Sequence, residues 1–226
     1  MKIKLNKQIL DKNEECAAGN RAFFDENNIF CLNVISSPGS GKTTILSRTI
    51  TDLEEEIKIG VIEGDIKTDT DAEKIRSTGA EAVQIETQGS CHLSAEQVAK
   101  ALGQIDAKSM DVIFIENVGN LVCPSDFNLG EQGRVVVLSV PEGDDKPIKY
   151  PGTFAKADVV LINKMDLLDY IEFDMDKVIH DIRVVNKEAK VFHISATTGE
   201  GLDDWYDWLY NKLKDQNSER RTQNTE

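Results

Sequence analysis

The sequence predicts an α/β fold of the P-loop NTPase type: a mostly parallel seven-stranded sheet with helices on both faces. Three observations predict it. From Phe30 onward, short apolar runs alternate with amphipathic stretches. Several runs, such as 112–115 and 135–138, are continuously apolar, as strands buried on both faces are. One of them, 31–35, runs directly into Ser-Ser-Pro-Gly-Ser-Gly-Lys-Thr at 36–43, the spacing of a phosphate-binding loop that opens a helix.

Taken in order, residues 3–27 read as a helix. Leu5, Ile9, Cys16 and Phe23 recur near multiples of 3.6 with charges between them, and Asn28 is a stop. Strands are expected at 31–36, 57–62, 82–86, 111–116, 133–140, 158–163 and 190–195, and helices near 42–55, 71–78, 93–103, 174–187 and 201–213. The last helix puts Leu202, Trp205, Trp208 and Leu209 on one side. The domains expected are an N-terminal helical arm at 1–28, a P-loop domain at 29–213 and a disordered tail at 214–226, which is polar and poor in apolar residues. Crossovers in such a sheet are right-handed, and ligands sit at the carboxyl ends of the strands. Each chemistry-bearing motif lies at one of those ends.

The first strand ends in the phosphate loop. Gly39 and Gly41 let the backbone turn its N–H groups toward one point, and the helix from Lys42 aims its dipole at the same point. Pro38, Gly39, Ser40, Gly41, Lys42, Thr43 and Thr44 form the seat for nucleotide phosphates. Lys42 supplies a mobile positive charge, and the Thr43 hydroxyl can ligate Mg²⁺. Ser36 stands where the first glycine of the motif is usual, and is small enough for the turn. After the second strand, Asp65 is the first candidate to reach the Mg²⁺, while Asp69 or Asp71 can cap the next helix. The fourth strand ends in Glu116, with Gly119 three residues on. A buried strand does not end in an unpaired charge without cost, so Glu116 is expected to serve Mg²⁺ and the Gly119 N–H to meet the γ-phosphate. Lys42, Asp65 and Glu116 are thus the residues expected to carry phosphate chemistry.

The sixth strand ends in Asn163-Lys164-Met165-Asp166, the guanine-recognition signature. Guanine presents N1–H and a 2-amino group side by side, and one carboxylate, Asp166, accepts both. Adenine offers no such pair and would leave the carboxylate unsatisfied. Asn163 ties the loop together and the Lys164 stem covers the base. The seventh strand ends in Ser195-Ala196-Thr197, where a backbone N–H near Ala196 would meet guanine O6. Together these pieces make a GTP site. No Gln follows Gly119 to position water, so unaided hydrolysis is expected to be slow.

Charge narrows the partners. The 226 residues carry 26 Lys+Arg against 40 Asp+Glu, a formal charge of −14. That field opposes nucleic acid and anionic membranes. Residues 1–11 lack the apolar core of a signal peptide, and no stretch is long enough to span a bilayer, so the cytoplasm is expected. Four cysteines, Cys16, Cys31, Cys91 and Cys123, are too widely spaced for a disulfide framework, and read as reduced thiols. Cys91-His92 opens the helix after the third strand, and Cys123 follows Glu116 in the loop that answers the γ-phosphate. Thiolate and imidazole suit Zn²⁺ or Ni²⁺. Three ligands do not close a tetrahedron, though a two-fold dimer could complete one. Spacing alone fits two unrelated thiols and a capping histidine equally well.

Together these residues resemble the HypB family, the nickel-inserting GTPases that mature [NiFe]-hydrogenase. The resemblance runs from Asn20-Arg21 to the last helix. It is most specific at 36–43, Gly64-Asp65, 89–93, 116–124 and 145–151. The family is similar in fold to the signal-recognition-particle and MinD class, which pairs through nucleotide faces. The resemblance implies a GTP-dependent homodimer with Cys91, His92 and Cys123 as an interfacial Ni²⁺ or Zn²⁺ site. It also implies a small partner metallochaperone and delivery to a hydrogenase large-subunit precursor. The chain has neither of the N-terminal nickel-binding stretches that some members carry, and only three histidines. The urease-accessory GTPases carry a contiguous Cys-Pro-His motif; here Cys-His and Cys-Pro are separate, which favours the hydrogenase family. A GTP-switched scaffold with a structural zinc, and a small-molecule kinase on the same loop, are the readings from other classes. The guanine signature weighs against the kinase.

Overall fold

The computed structural model describes residues 3–65, 70–87 and 89–223. The helices are α1 (Ile3–Asn27), α2 (Lys42–Leu53), α3 (Thr70–Arg76), α4 (Ala95–Leu102), α5 (Lys146–Lys149), α6 (Pro151–Phe154), α7 (Met175–Val185) and α8 (Leu202–Gln223). The strands are β1 (Phe30–Ser36), β2 (Ile59–Asp65), β3 (Glu81–Glu86), β4 (Val112–Glu116), β5 (Gly133–Ser139), β6 (Val159–Asn163) and β7 (Lys190–His193). They form one sheet in the order β3-β2-β4-β1-β5-β6-β7. Every described pairing is parallel, so the sheet is more uniform than expected. β1 lies between β4 and β5, which brings the ends carrying the phosphate loop and Glu116 side by side.

Strand residues alternate between the two faces. In β4, Val112 and Phe114 join a core with Leu46 and Ile50 of α2 and Trp205 and Leu209 of α8. Ile113 and Ile115 join the opposite core, with Phe24 of α1 and Leu93 and Val98 at α4. A third cluster packs Val178 and Ile182 of α7 and Phe154 of α6 on Val136, Leu138, Val160 and Ile162. Fully burying one such side chain contributes about 2 kcal/mol, so both faces of the sheet are held by apolar packing.

Three expectations need correcting. The stripe that α1 buries is Asn13, Ala17, Asn20 and Phe24, not the face of Cys16 and Phe23, which are only partly buried. The side chains of Leu5 and Ile9 lie outside those described. The cause is polar: Asn13 donates to Asn128 O (2.7 Å) and accepts from Ala95 N (2.9 Å), and Asn20 Nδ2 donates to both Ala95 O and Leu129 O (2.9 Å each). These bonds satisfy buried backbone groups of the body, so from residue 13 onward the helix is part of the body and not a separate arm. The last helix runs to Gln223, well past 213 into the segment expected to be disordered. Residues 214–223 are polar, but they contain no Gly or Pro to stop a helix, and Gln216 Nε2 donates to Ile29 O (3.2 Å). Finally, Cys91-His92 does not open α4. Ser94 is its N-cap, in a reciprocal capping box with Gln97, and the two ligand residues lie in the loop before it.

Candidate functional site: a phosphate seat, a guanine loop and a thiol–imidazole cluster

The phosphate seat is built from β1, α2 and β4. Gly41, just before α2, has φ +98°, and a Cβ there would lie 2.6 Å from Asn163 Nδ2, so only glycine lets the guanine loop close on this turn. Lys42 Nζ donates to Ser36 Oγ (3.0 Å), which gives the residue in the first-glycine position a role of its own. Thr43 Oγ1 donates to Glu116 Oε1 (2.8 Å), and Thr44 Oγ1 accepts from Lys74 Nζ (2.9 Å). Gly119 passes so close to the loop that a Cβ on it would sit 3.0 Å from Pro38 Cα and N.

The carboxylate beside Glu116 is Glu63. The two are register partners on β2 and β4, both buried, and their oxygens lie within 4.8 Å of each other and of an oxygen of Asp71. Asp65, one pleat further along β2, is outside this group, and Asp69 lies outside the described residues. The pairing of β2 with β4 was the missing signal: an acid near the end of one buried strand stands opposite an acid ending its neighbour. Burial pushes the Glu63 carboxyl well above the usual range, and the nearby charge of Glu116 pushes it further. Glu116 is raised as well, mainly by burial, against the pull of the Lys42 ammonium.

Glu63 Oε2 and Glu116 Oε2 are buried without a hydrogen-bond partner. Orphaned acceptors at the mouth of a phosphate loop fit a hard cation. Thr43, Glu63, Asp71 and Glu116 would hold Mg²⁺ there, directly or through water. When bound, Mg²⁺ supplies charge neutralisation for the outer phosphates. The chain's own contribution is to hold the Lys42 ammonium on Ser36 and the Thr43 hydroxyl on Glu116 at the mouth of the loop.

A carboxyl whose folded pKa is raised holds a proton that the unfolded chain has already lost. The contribution of this carboxyl to the stability of the nucleotide-free protein therefore falls as pH rises above the ordinary carboxylate range. A glutamine side chain in place of Glu63 would mimic the protonated acid. Glu63→Gln should therefore raise the thermal unfolding midpoint by about 3 °C, on the order of 1 kcal/mol for a domain of this size. The gain should be larger at pH 8 than at pH 6, and Mg²⁺-dependent turnover should fall. A midpoint gain independent of pH, read by calorimetry, would contradict the raised carboxyl at Glu63.

The guanine loop is braced from three sides. Asn163 Nδ2 donates to Ser40 O (2.9 Å), and its Oδ1 accepts from Ala196 N (3.1 Å). The Ala196 N–H expected at guanine O6 is thus engaged within the loop in this arrangement. Lys164, at φ +63°, donates through Nζ to Gly39 O (2.7 Å), so its stem bridges the base loop and the phosphate loop. Ser195 Oγ donates to Asp166 Oδ1 (2.6 Å), and Thr198 N donates to Ser195 Oγ (3.2 Å). Asp166 is exposed but held in one orientation, and Thr197 is exposed beside it.

Cys91 and His92, neighbours in sequence, and the distant Cys123 place their ligand atoms within 4.8 Å of one another, each half-buried. His92 Nδ1 is 3.6 Å from Cys91 Sγ, and its ring stacks on Phe127 with centroids 3.8 Å apart. The neighbouring Cys123 thiol pushes the Cys91 thiol up, and burial lowers His92, which favours the neutral imidazole a metal needs. Two soft thiols and one imidazole suit Ni²⁺ or Zn²⁺ and leave at least one position open.

A model of the CobW/HypB/UreG nucleotide-binding domain matches residues 31–193. The hydrogenase maturation factor HypB of Escherichia coli strain K12 is 50% identical over 201 residues, covering 89% of this chain and 69% of that protein. The crystal structure of HypB from Helicobacter pylori in complex with nickel aligns with a TM-score of 0.86 at 39% identity, over 90% of this chain and 96% of that one. The signal recognition particle 54 kDa protein of Aeropyrum pernix K1 aligns with a TM-score of 0.55 at 14% identity, over 74% of this chain and 42% of that one, a likeness of fold.

Proposed function

The chain belongs to the HypB branch of the CobW/HypB/UreG family, and from that premise we propose that it is a GTP-hydrolysing hydrogenase maturation factor whose nucleotide state governs the holding and release of nickel. The observation that carries the coupling is one segment, residues 116–123. It starts at the Mg²⁺-facing Glu116, presses Gly119 against Pro38 of the phosphate loop, and ends at Cys123 beside Cys91 and His92. Lys42, Thr43, Glu63 and Glu116 serve phosphate and Mg²⁺. Asn163, Lys164 and Asp166, braced by Ser195, serve guanine. Cys91, His92 and Cys123 serve the cargo ion.

Nickel is supported as cargo by the Helicobacter pylori HypB structure, which holds it, and by the soft donor set here. A GTP-bound homodimer would bring two half-closed thiol–imidazole sites together and complete the coordination. The ion then passes by way of a small metallochaperone to the hydrogenase large-subunit precursor. The work takes place in the cytoplasm. No helix among the described residues is long and apolar enough to cross a membrane, which is compatible with that setting. The urease-accessory reading is disfavoured by Cys123-Pro124-Ser125, where that family has Cys-Pro-His.

The test is Ni²⁺ and Zn²⁺ affinity in GDP and in a non-hydrolysable GTP analogue, by chelator competition, with sedimentation for oligomeric state. Wild type should bind Ni²⁺ about tenfold more tightly, and as a dimer, with the GTP analogue. Cys123→Ala should lose most Ni²⁺ affinity in both states. Identical metal affinity in both nucleotide states of the intact protein would leave a GTPase with a merely structural metal.

A further inference from the structure

The covalent chain links the nucleotide to only half of the metal site. Cys123 lies a few residues past Gly119 and must move with it. Cys91 and His92 sit on a different loop, between β3 and α4, and need a non-covalent connection if both halves are to respond together. We propose that Asn117 and Asn120 are positioning residues that fasten the Cys91–His92 loop to the segment 116–123, so that the phosphate loop acts on both halves of the ligand set at once. This rests on the nucleotide-coupled metal site proposed above.

Asn117 supplies the first fastening. Glu116 faces α2 and Thr43, while Asn117, the next residue, reaches the opposite side of the sheet, where it is fully buried. Its Oδ1 accepts from Leu93 N (3.1 Å) and from Val118 N (3.0 Å), so one carbonyl joins the residue after His92 to the residue before Gly119. Its Nδ2 donates to Asn33 Oδ1 (3.2 Å) on β1. Asn120 supplies the second. Its Nδ2 donates to Cys91 O (3.3 Å) and its Oδ1 accepts from Val122 N (2.8 Å), so one amide spans from the ligand loop to the turn that presents Cys123. Gly119, the contact with Pro38, lies between the two fastenings.

The arrangement is backed by charge. Asn33 Nδ2 donates to Glu131 Oε1 (3.3 Å), which also accepts from Arg134 Nε (2.6 Å). Arg134 in turn donates to Ser125 O (2.8 Å) and Phe127 O (3.2 Å), and Phe127 stacks on His92. The buried polar chain therefore starts beside His92, passes behind Glu116, and returns to the far side of Cys123. Such a fully satisfied buried network resists gradual deformation and shifts as a unit. Neither asparagine belongs to the phosphate loop or to the thiol–imidazole cluster; each acts through the backbone of the ligand loop.

Asn120, half-buried at the surface, allows a clean test. Asn120→Asp keeps an oxygen for Val122 N but cannot donate to Cys91 O; Asn120→Ala loses both bonds. The full-length chain is titrated with Ni²⁺ in GDP and in a non-hydrolysable GTP analogue, reading chelator competition and the nickel–thiolate charge-transfer absorption. The readout is the ratio of affinities between nucleotide states, which a general loosening of the fold does not set. The roughly tenfold ratio of wild type should fall below about twofold in both variants, with the GTP-state spectrum moving toward the GDP-state one. In wild type, exchange of the Leu93 amide with solvent, followed by NMR, should be slow and should change with nucleotide. If Asn120→Asp keeps the wild-type ratio, or if Leu93 exchange is the same in both states, the fastening is wrong while the coupled metal site stands. A wild-type ratio of one overturns the coupled reading itself, and the fastening with it.

Discussion

Replacing Lys42 with alanine should stop GTP turnover, lowering the rate by at least about a hundredfold, the scale seen when a pre-aimed charge is removed from a developing anion. The reason goes beyond the loss of one phosphate contact. Lys42 is nearly buried, its ammonium is held by Ser36, and its charge pulls the carboxyls of Glu63 and Glu116 back toward ionisation. Without it the carboxylate pair keeps its proton more firmly, and the seat for Mg²⁺ weakens together with the seat for the γ-phosphate. The variant should therefore need more Mg²⁺ for whatever nucleotide binding remains. Phosphate release and a fluorescent-nucleotide titration over a range of Mg²⁺ concentrations read both effects. Turnover at the wild-type rate would place the chemistry elsewhere in the molecule.

How much of this could be read from residues alone depends on how local each feature is. The phosphate loop and the guanine signature are strings of neighbours whose spacing is their mechanism, and the structure puts them at the same edge of the sheet, with only β5 between their strands and Asn163 bonded to Ser40 O. The capping box Ser94–Gln97 was equally local, and shows that Cys91-His92 precede α4. Glu63 was hidden for a different reason. Its significance comes from the register of β2 on β4, which no local pattern records, so the acid after Gly64 drew attention instead of the acid before it. The asparagines were hidden because polar residues in an apolar stripe look like interruptions. Asn13, Asn20, Asn33 and Asn117 are buried, and each satisfies groups far away in sequence. Low hydrophobicity likewise suggested disorder for 214–223, where helix propensity and one long-range bond at Gln216 support a helix.

Exchanging Asp166 for asparagine should reverse the choice of base. Ser195 Oγ holds one oxygen of the Asp166 carboxylate, which fixes its plane before any base arrives. A carboxylate so oriented accepts from guanine N1–H and the 2-amino group together. An amide in its place can accept only one of these, and its NH₂ confronts the guanine 2-amino group donor to donor. Sites built around such pairs reject the mismatched base by about 10⁴, so GTP should weaken by at least about a hundredfold even with some relaxation of the loop. Xanthine nucleotide carries a carbonyl where guanine carries the 2-amino group. That carbonyl can accept from the new amide, so its affinity should rise. Because Asn163 and Lys164 brace the loop against Ser40 and Gly39 without using Asp166, the loop keeps its shape in the variant. Competition of GTP, xanthosine triphosphate and ATP against one labelled nucleotide measures all three. Wild-type protein should prefer GTP over ATP by several orders of magnitude, and the variant should prefer xanthosine triphosphate. Equal affinity of the wild type for GTP and ATP would remove the guanine assignment.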